Sequence, residues 1–311
     1  MRGGGECAAS PQDHAAMFEL LGIAPQALFG QLLLGLINGA FYAMLSLGLA
    51  VIFGMLNVVN FAHGALYMAG AFIAWLLLEK LGIGYWAALL LAPLAVGLVG
   101  IVIERAMLRW LYKLDHLYGL LLTFGLALIV EGLFRNEYGS SGQAYQIPEL
   151  LEGGHNLGFM FLPNYRGWVV IFSLLLCFAT WFVIERTKLG AYLRAATENP
   201  SLVQAFGINV PLMLTLTYAG GVALAALAGV MAAPIYNVSP QMGSGLIIVV
   251  FAVVVIGGMG SIMGSILTGF ALGVIEGLTK VFFPEASNTV IFVIMAIVLL
   301  IKPAGLFGRV G

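Results

Sequence analysis

Charge is what this chain lacks most. It has 13 Lys and Arg and 14 Asp and Glu in 311 residues, only 9% charged, where an ordinary soluble domain carries about 25%. That scarcity excludes a soluble globular class. A net charge of −1 gives no bulk basic character, so no nucleic-acid partner is expected. Cysteine is nearly absent too: Cys7 sits in a polar lead and Cys177 in an apolar run, a pattern that offers neither a disulfide framework nor a zinc site. Catalytic signatures are missing as well. There is no G-x-x-x-x-G-K-[ST] loop to hold a nucleotide and no H-E-x-x-H. The four histidines, His14, His63, His116 and His155, are scattered, and no metal centre is expected. No acidic pair within an apolar run has a proteolytic spacing. The chain reads as a non-enzyme.

What is present is hydrocarbon and glycine. The chain is 61% hydrophobic with 41 glycines, and its mean hydropathy is +1.04. This is the composition of an all-α, polytopic membrane protein, in which small residues let helices approach closely. Residues 1–25 lack the basic start and apolar core of a signal peptide and read as an extension without assigned function. Residues 26–311 read as a single transmembrane domain. Apolar segments are expected at about 28–53, 64–78, 85–103, 118–133, 167–184, 211–234, 245–257, 264–283 and 289–301. Eight or nine of these are spans, with Gly-rich breaks between some of them. Residues 136–166 form the one long polar loop.

Lys and Arg concentrate on the cytoplasmic side of membrane proteins. Placing Arg105, Arg109 and Lys113 inside also puts Arg186–Arg194 and the tail with Lys302 and Arg309 inside. Single Lys80, Arg135, Arg166 and Lys280 then fall outside. An outside N-terminus and an inside C-terminus require an odd number of spans. The same count puts loop 136–166 outside.

Within this frame a few groups stand out. In IFGMLNVVNFAHGALYMAG, Asn57, Asn60 and His63 repeat at a spacing of three between two apolar runs. A bare amide within a bilayer is costly unless paired, so these residues read as a polar lining or hinge on a translocation path, or as a cap on the following helix. The stretch IGGMGSIMGSILTGFALG echoes this break. Its glycines Gly257, Gly258, Gly260, Gly264, Gly269 and Gly273 suit helix packing or a moving surface. Glu131 and Glu276 are the acids furthest from loops, and Lys280 stands one turn from Glu276, as an ion pair would require. The cytoplasmic segment 187–210 is patterned. Asn199-Pro200 starts a short helix with Pro in its first turn, Leu202, Val203, Ala205 and Phe206 give it an apolar side, and Gly207 stops it. Such a helix suits docking to a cytoplasmic partner.

Several of these stretches together resemble the permease subunits of the branched-chain amino acid ABC importers, specifically the H-type subunit. The matching blocks are NGAFYAMLSLGLAVIFG at 38–54, NVVNFAHGALYMAGA at 57–71, RAATENPSLVQAFGINV at 194–210, VVVIGGMGSIMGSILTGFALGVIEG at 253–277 and KPAGLFGR at 302–309. The resemblance covers nearly everything after the first 25 residues. It implies a bacterial inner-membrane importer built from this chain, a second related permease, two cytoplasmic ATPases and an external binding protein. ATP and Mg would belong to the ATPases, with no cofactor in this chain. Residues 194–207 would be the coupling helix, with Arg194, Glu198, Asn199, Phe206 and Gly207 facing an ATPase. The segment does not reproduce the E-A-A-x-x-x-G spacing of many other importers, since Glu198 and Gly207 are nine apart. Family members usually have about eight spans. Two other readings stay open: the same architecture carrying urea, short amides or other amino acids, and an ion-coupled secondary transporter using Glu131, Glu276 or His63.

Overall fold

The computed structural model describes residues 25–56, 58–112, 114–158 and 160–308. The helices are α1 (Pro25–Leu56), α2 (Ala62–Leu81), α3 (Tyr85–Ile103), α4 (His116–Tyr138), α5 (Asn164–Arg186), α6 (Lys188–Glu198), α7 (Pro200–Ala205), α8 (Val210–Ala232), α9 (Ser244–Gly257), α10 (Ile262–Phe282) and α11 (Val290–Ile301). Uninterrupted apolar sequence forms helices here because, away from water, only an intrahelical ladder satisfies every backbone group. Among the described residues, seven helices are long and apolar enough to cross a membrane. α9 and α11, with 14 and 12 residues, are shorter. At 1.5 Å per residue neither reaches across a ~30 Å hydrocarbon layer as a straight rod. The nine apolar segments expected from sequence therefore appear as seven long helices and two short ones.

One local expectation needs correction. The third span does not stop at Ile103: a π-turn, Glu104–Leu108, and a last α-turn, Arg109–Leu111, carry it on. Within the all-α fold, the loop 136–166 holds a short antiparallel pair, β1 (Gly154–Asn156) with β2 (Phe161–Pro163).

The helix ends follow the local sequence. Asp115 caps α4 by accepting from the Leu117 amide at 2.9 Å. Asn209 caps α8 by accepting from the Leu212 amide at 3.1 Å. Gly82, in the left-handed region at φ 66°, closes α2, where its amide and that of Ile83 return to Leu78 and Leu77.

α1 is the axis of the bundle. It packs against α10, α8, α5 and α9, and every residue from Gly39 to Ile52 is buried. α8 in turn covers α2 and α3. Phe41, Met44, Leu45, Leu47, Tyr67, Phe72 and Met231 are fully buried. The rim is different: α4 buries only Gly119 and Thr123, and α11 only Ile291. α1 ends beside α6, since Phe53 and Met55 share a cavity with Arg194 and Glu198. That end is called the α6–α7 end, and the opposite one the hairpin end.

Candidate functional site

The link between α1 and α2 does not lie at the surface of the bundle. His63 Nε2 is 3.0 Å from the Leu45 carbonyl oxygen. Leu45 precedes the last residue of α1, Leu56, by eleven positions, or about 16 Å of helix. The chain therefore leaves α1 at the α6–α7 end and turns back into the bundle before α2 begins. Non-helical backbone at that depth needs partners, and Thr123 of α4 provides them. Its hydroxyl donates to the Val59 carbonyl at 3.1 Å and accepts from the Phe61 amide at 3.2 Å.

Asn60 and His63 are both 0% exposed. The Asn60 amide donates to the Tyr218 hydroxyl of α8 at 3.2 Å. Its Oδ1 and the His63 Nδ1 are buried without hydrogen-bond partners among the described residues. Asn60 does not cap α2: the capping position is Phe61, with no side-chain cap, because the Asn60 side chain is drawn sideways to Tyr218. Neither Asn60 nor His63 lines the two cavities described below. Asn57 lies outside the described residues, as do Lys113 and Arg309.

The patterned segment 187–210 folds as two helices, α6 and α7. Asn199 accepts from the Leu202 amide at 3.0 Å, Pro200 occupies the first turn of α7, and Gly207 ends the segment at φ 83°. Val203 turns inward at 7% exposure, while Leu202 and Phe206 stand 55% and 78% exposed. Arg194 reaches back to the Ile184 carbonyl at 3.0 Å and to Glu185 at 3.4 Å, fixing α6 to the end of α5. Glu198 and Arg194 both border a polar cavity of about 470 Å³ that reaches Gly260, Ser261 and Phe307.

The late glycines sit where backbones touch. A Cβ on Gly269 would lie 2.6 Å from Ala43 of α1, and one on Gly273 would lie 2.4 Å from Gly39. Gly257 and Gly264 bring the end of α9 against the start of α10 in the same way. Gly258 and Gly260 have positive φ, at 102° and 84°, so that the chain reverses between these helices. The residues after α11 bind this turn, with the Leu306 amide donating to Ile256 at 2.8 Å and the Phe307 amide to Gly257 at 3.1 Å. Gly260 also meets Gly54, so the two Gly-rich breaks that echo each other in sequence are neighbours in space.

Glu276 is 6% exposed. It accepts from Lys280 at 2.5 Å and from the Tyr42 hydroxyl of α1 at 2.6 Å. Glu131 pairs with Arg135 one turn on.

The comparisons with known proteins fit this architecture. The family model described as branched-chain amino acid transport system / permease component matches residues 31–299. The chain belongs to that family. Among the relatives of this permease, the high-affinity branched-chain amino acid transport system permease protein BraD of Pseudomonas aeruginosa is 32% identical over 297 residues, covering 90% of this chain and 95% of the relative. LivH of Escherichia coli K12, named likewise, is 29% identical over 296 residues, with the same coverage. LivM of the same organism is 28% identical over 290 residues, covering 85% of this chain and 67% of LivM.

Sequence reasoning missed several polar groups inside the permease. Thr123 and Tyr218 are weakly polar residues within apolar helices, and nothing in their spacing marks them. Glu104, beside the basic residues Arg105 and Arg109, is 1% exposed. It accepts from the Thr215 hydroxyl at 2.6 Å and the Tyr112 hydroxyl at 3.2 Å. The π-turn carries the helix on past Glu104, so it does not stand in a loop.

A second cavity, of about 300 Å³ and with a mostly apolar wall, was also not legible from sequence. It opens between α1, α2 and the segment 236–246, with Asn38, Tyr42, Tyr67 and Tyr236 on its walls. The Tyr236 hydroxyl donates to Asn38 Oδ1 at 3.1 Å, and its ring meets Phe41 edge-on at 5.8 Å.

Proposed function

We propose that this permease is one of two membrane subunits of an ATP-binding-cassette importer for branched-chain amino acids in the bacterial inner membrane. The observation that carries this reading is the family match over residues 31–299, together with relatives named for that transport along almost their whole length. The likeness to both LivH and LivM supports a paired, related permease as partner. ATP and Mg would be handled by two cytoplasmic ATPases, and an external binding protein would deliver the cargo.

In this reading the α6–α7 end faces the cytoplasm, as does the C-terminus. The exposed Leu202 and Phe206 of α7, held by the Asn199 cap and the Gly207 stop, form the surface that an ATPase grips, and Glu198 and Arg194 border it. Movement of that surface biases the subunit between outward and inward forms through differential binding. Asn57, Asn60 and His63 act as a polar lining or hinge on the translocation path, and the Gly257–Gly273 region lets the adjoining helices shift without side-chain collision.

The test is purification of the tagged chain from its native membrane, followed by reconstitution. Co-purification of a P-loop ATPase and a second permease, with ATP-dependent uptake of leucine, isoleucine and valine, is the expected result. A complex that moves urea or short amides instead would change the cargo and keep the architecture. A chain that purifies alone and moves solute with a proton gradient after ATP depletion would overturn both.

A further inference from the structure

The cavity of about 300 Å³ between α1, α2 and α9 has the chemistry of a small-molecule site, and it is built where two helices begin inside the bundle. α2 starts at the re-entrant link. α9 starts beside it, since a Cβ on Gly64 would lie 2.6 Å from the Gly243 carbonyl oxygen. Helices that begin at depth present unpaired amides and the positive end of the helix dipole to whatever lies in front of them. In α9 the amides of Gly245 and Leu246 have no acceptor among the described residues, and Leu246 lines the cavity.

The side chains make a stronger case than the helix end alone. Tyr67 is 1% exposed and lines the cavity, yet its hydroxyl has no hydrogen-bond partner among the described residues. A buried phenol normally finds one. Asn237 and Ser239, also on the wall, make no side-chain hydrogen bond among the described residues. Asn38 uses only its oxygen, for Tyr236, and its amide nitrogen is uncommitted among the described residues. Phe41, Met242 and Leu246 supply apolar wall. No ionised side chain lines the cavity. The nearest carboxylate, Glu276, stands behind Tyr42, which donates to it, and Lys280 pairs with it.

The geometry points to this cavity as the subsite through which the permease holds an aliphatic α-amino acid in transit, an assignment that rests on the importer reading above. The carboxylate meets the Tyr67 hydroxyl, the Ser239 hydroxyl and the first amides of α9. The ammonium meets the amide oxygen of Asn237 and the Tyr42 side of the wall, where the Glu276 carboxylate lies behind. The branched side chain rests on Phe41, Met242 and Leu246. Neutral partners suit a zwitterion that must leave again, because a fixed charge would trap it. The size falls at the small end of ligand pockets. The contact that selects among cargoes is Leu246, where one methylene more or less changes the fit.

The experiment uses the reconstituted complex of permeases, ATPases and binding protein, with leucine and valine as competing cargoes. The wild-type complex is measured first. If it moves neither, the cargo reading fails before the site is tested. If it moves both, Leu246→Ala and Leu246→Phe are compared with it in complexes of unchanged subunit stoichiometry. The expected result is a leucine-to-valine uptake ratio that moves in opposite directions in the two variants, by about ten-fold, the low end of the discrimination a single methylene gives. Tyr67→Phe lowers uptake of both cargoes, and the loss deepens when Ser239→Ala is added. A ratio unchanged in both Leu246 variants, whether total uptake is kept or lost, overturns the assignment. So does wild-type uptake in the Tyr67→Phe, Ser239→Ala double variant.

Discussion

Thr123 shows how much one side chain can fix in a low-dielectric interior. It alone satisfies two backbone groups of the link, Val59 O and Phe61 N. Each buried group left unpaired costs about 1–3 kcal/mol. Thr123→Val keeps the shape and removes both bonds, so it is expected to lower the apparent Tm of the detergent-solubilised protein. Thr123→Ser, which restores the hydroxyl, is expected to recover most of the loss. Equal melting of the Val variant and the wild type would remove Thr123 from this role. The sequence made Asn60 and His63 conspicuous because polar groups between apolar runs are rare. It could not say that Asn60 would turn to Tyr218, because residues 158 positions apart meet only once the helices have packed.

Secondary structure was the most legible scale. Each apolar run became a helix, and Asn199, Pro200 and Gly207 set the ends of α7 through local chemistry that needs no tertiary context. What sequence could not decide was which glycines matter. Gly273 and Gly132 both sit in helix interiors, but a Cβ would lie 2.4 Å from the Gly39 backbone at Gly273 and meet nothing within 4 Å at Gly132. Gly273→Ala is expected to destabilise the bundle by about 1–3 kcal/mol through overpacking, whereas Gly132→Ala is expected to gain about 0.5–1 kcal/mol. Thermal unfolding of the two variants side by side tests this, and like-signed shifts would contradict the packing described. α7 presents the opposite case. Leu202 and Phe206 contribute little to the core, so Leu202→Asp with Phe206→Asp is expected to leave Tm within about 1 kcal/mol of stability and to abolish co-purification of the ATPase. Retention of the ATPase would remove α7 from the docking surface.

For the whole molecule, the charge distribution sorts the two ends of the bundle. In the proposed orientation, Arg105, Arg109, Arg186, Lys188, Arg194 and Lys302 belong to loops and helix ends on the cytoplasmic side. The β1–β2 pair would then lie on the other side. Introduced cysteines provide the check, in a Cys7→Ser background with Cys177 left buried. His155→Cys is expected to react with a membrane-impermeant thiol reagent in spheroplasts, and Phe206→Cys only in inverted vesicles. The reverse pattern would invert the molecule and move the docking surface outside.

The glycine seam between α1 and α10 also bears on how the protein is made. Gly35 meets Gly273 and Gly277, residues that leave the ribosome long after α1 does. At about 5–20 residues per second, the roughly 240 residues between them take about 10–50 s to synthesise. Throughout that interval the axis of the bundle is already in the lipid with its narrowest face bare. A helix that inserts this early is among the last to be completed, and anything that lengthens the wait, from a slow codon to a truncated message, leaves that face open to the wrong neighbour.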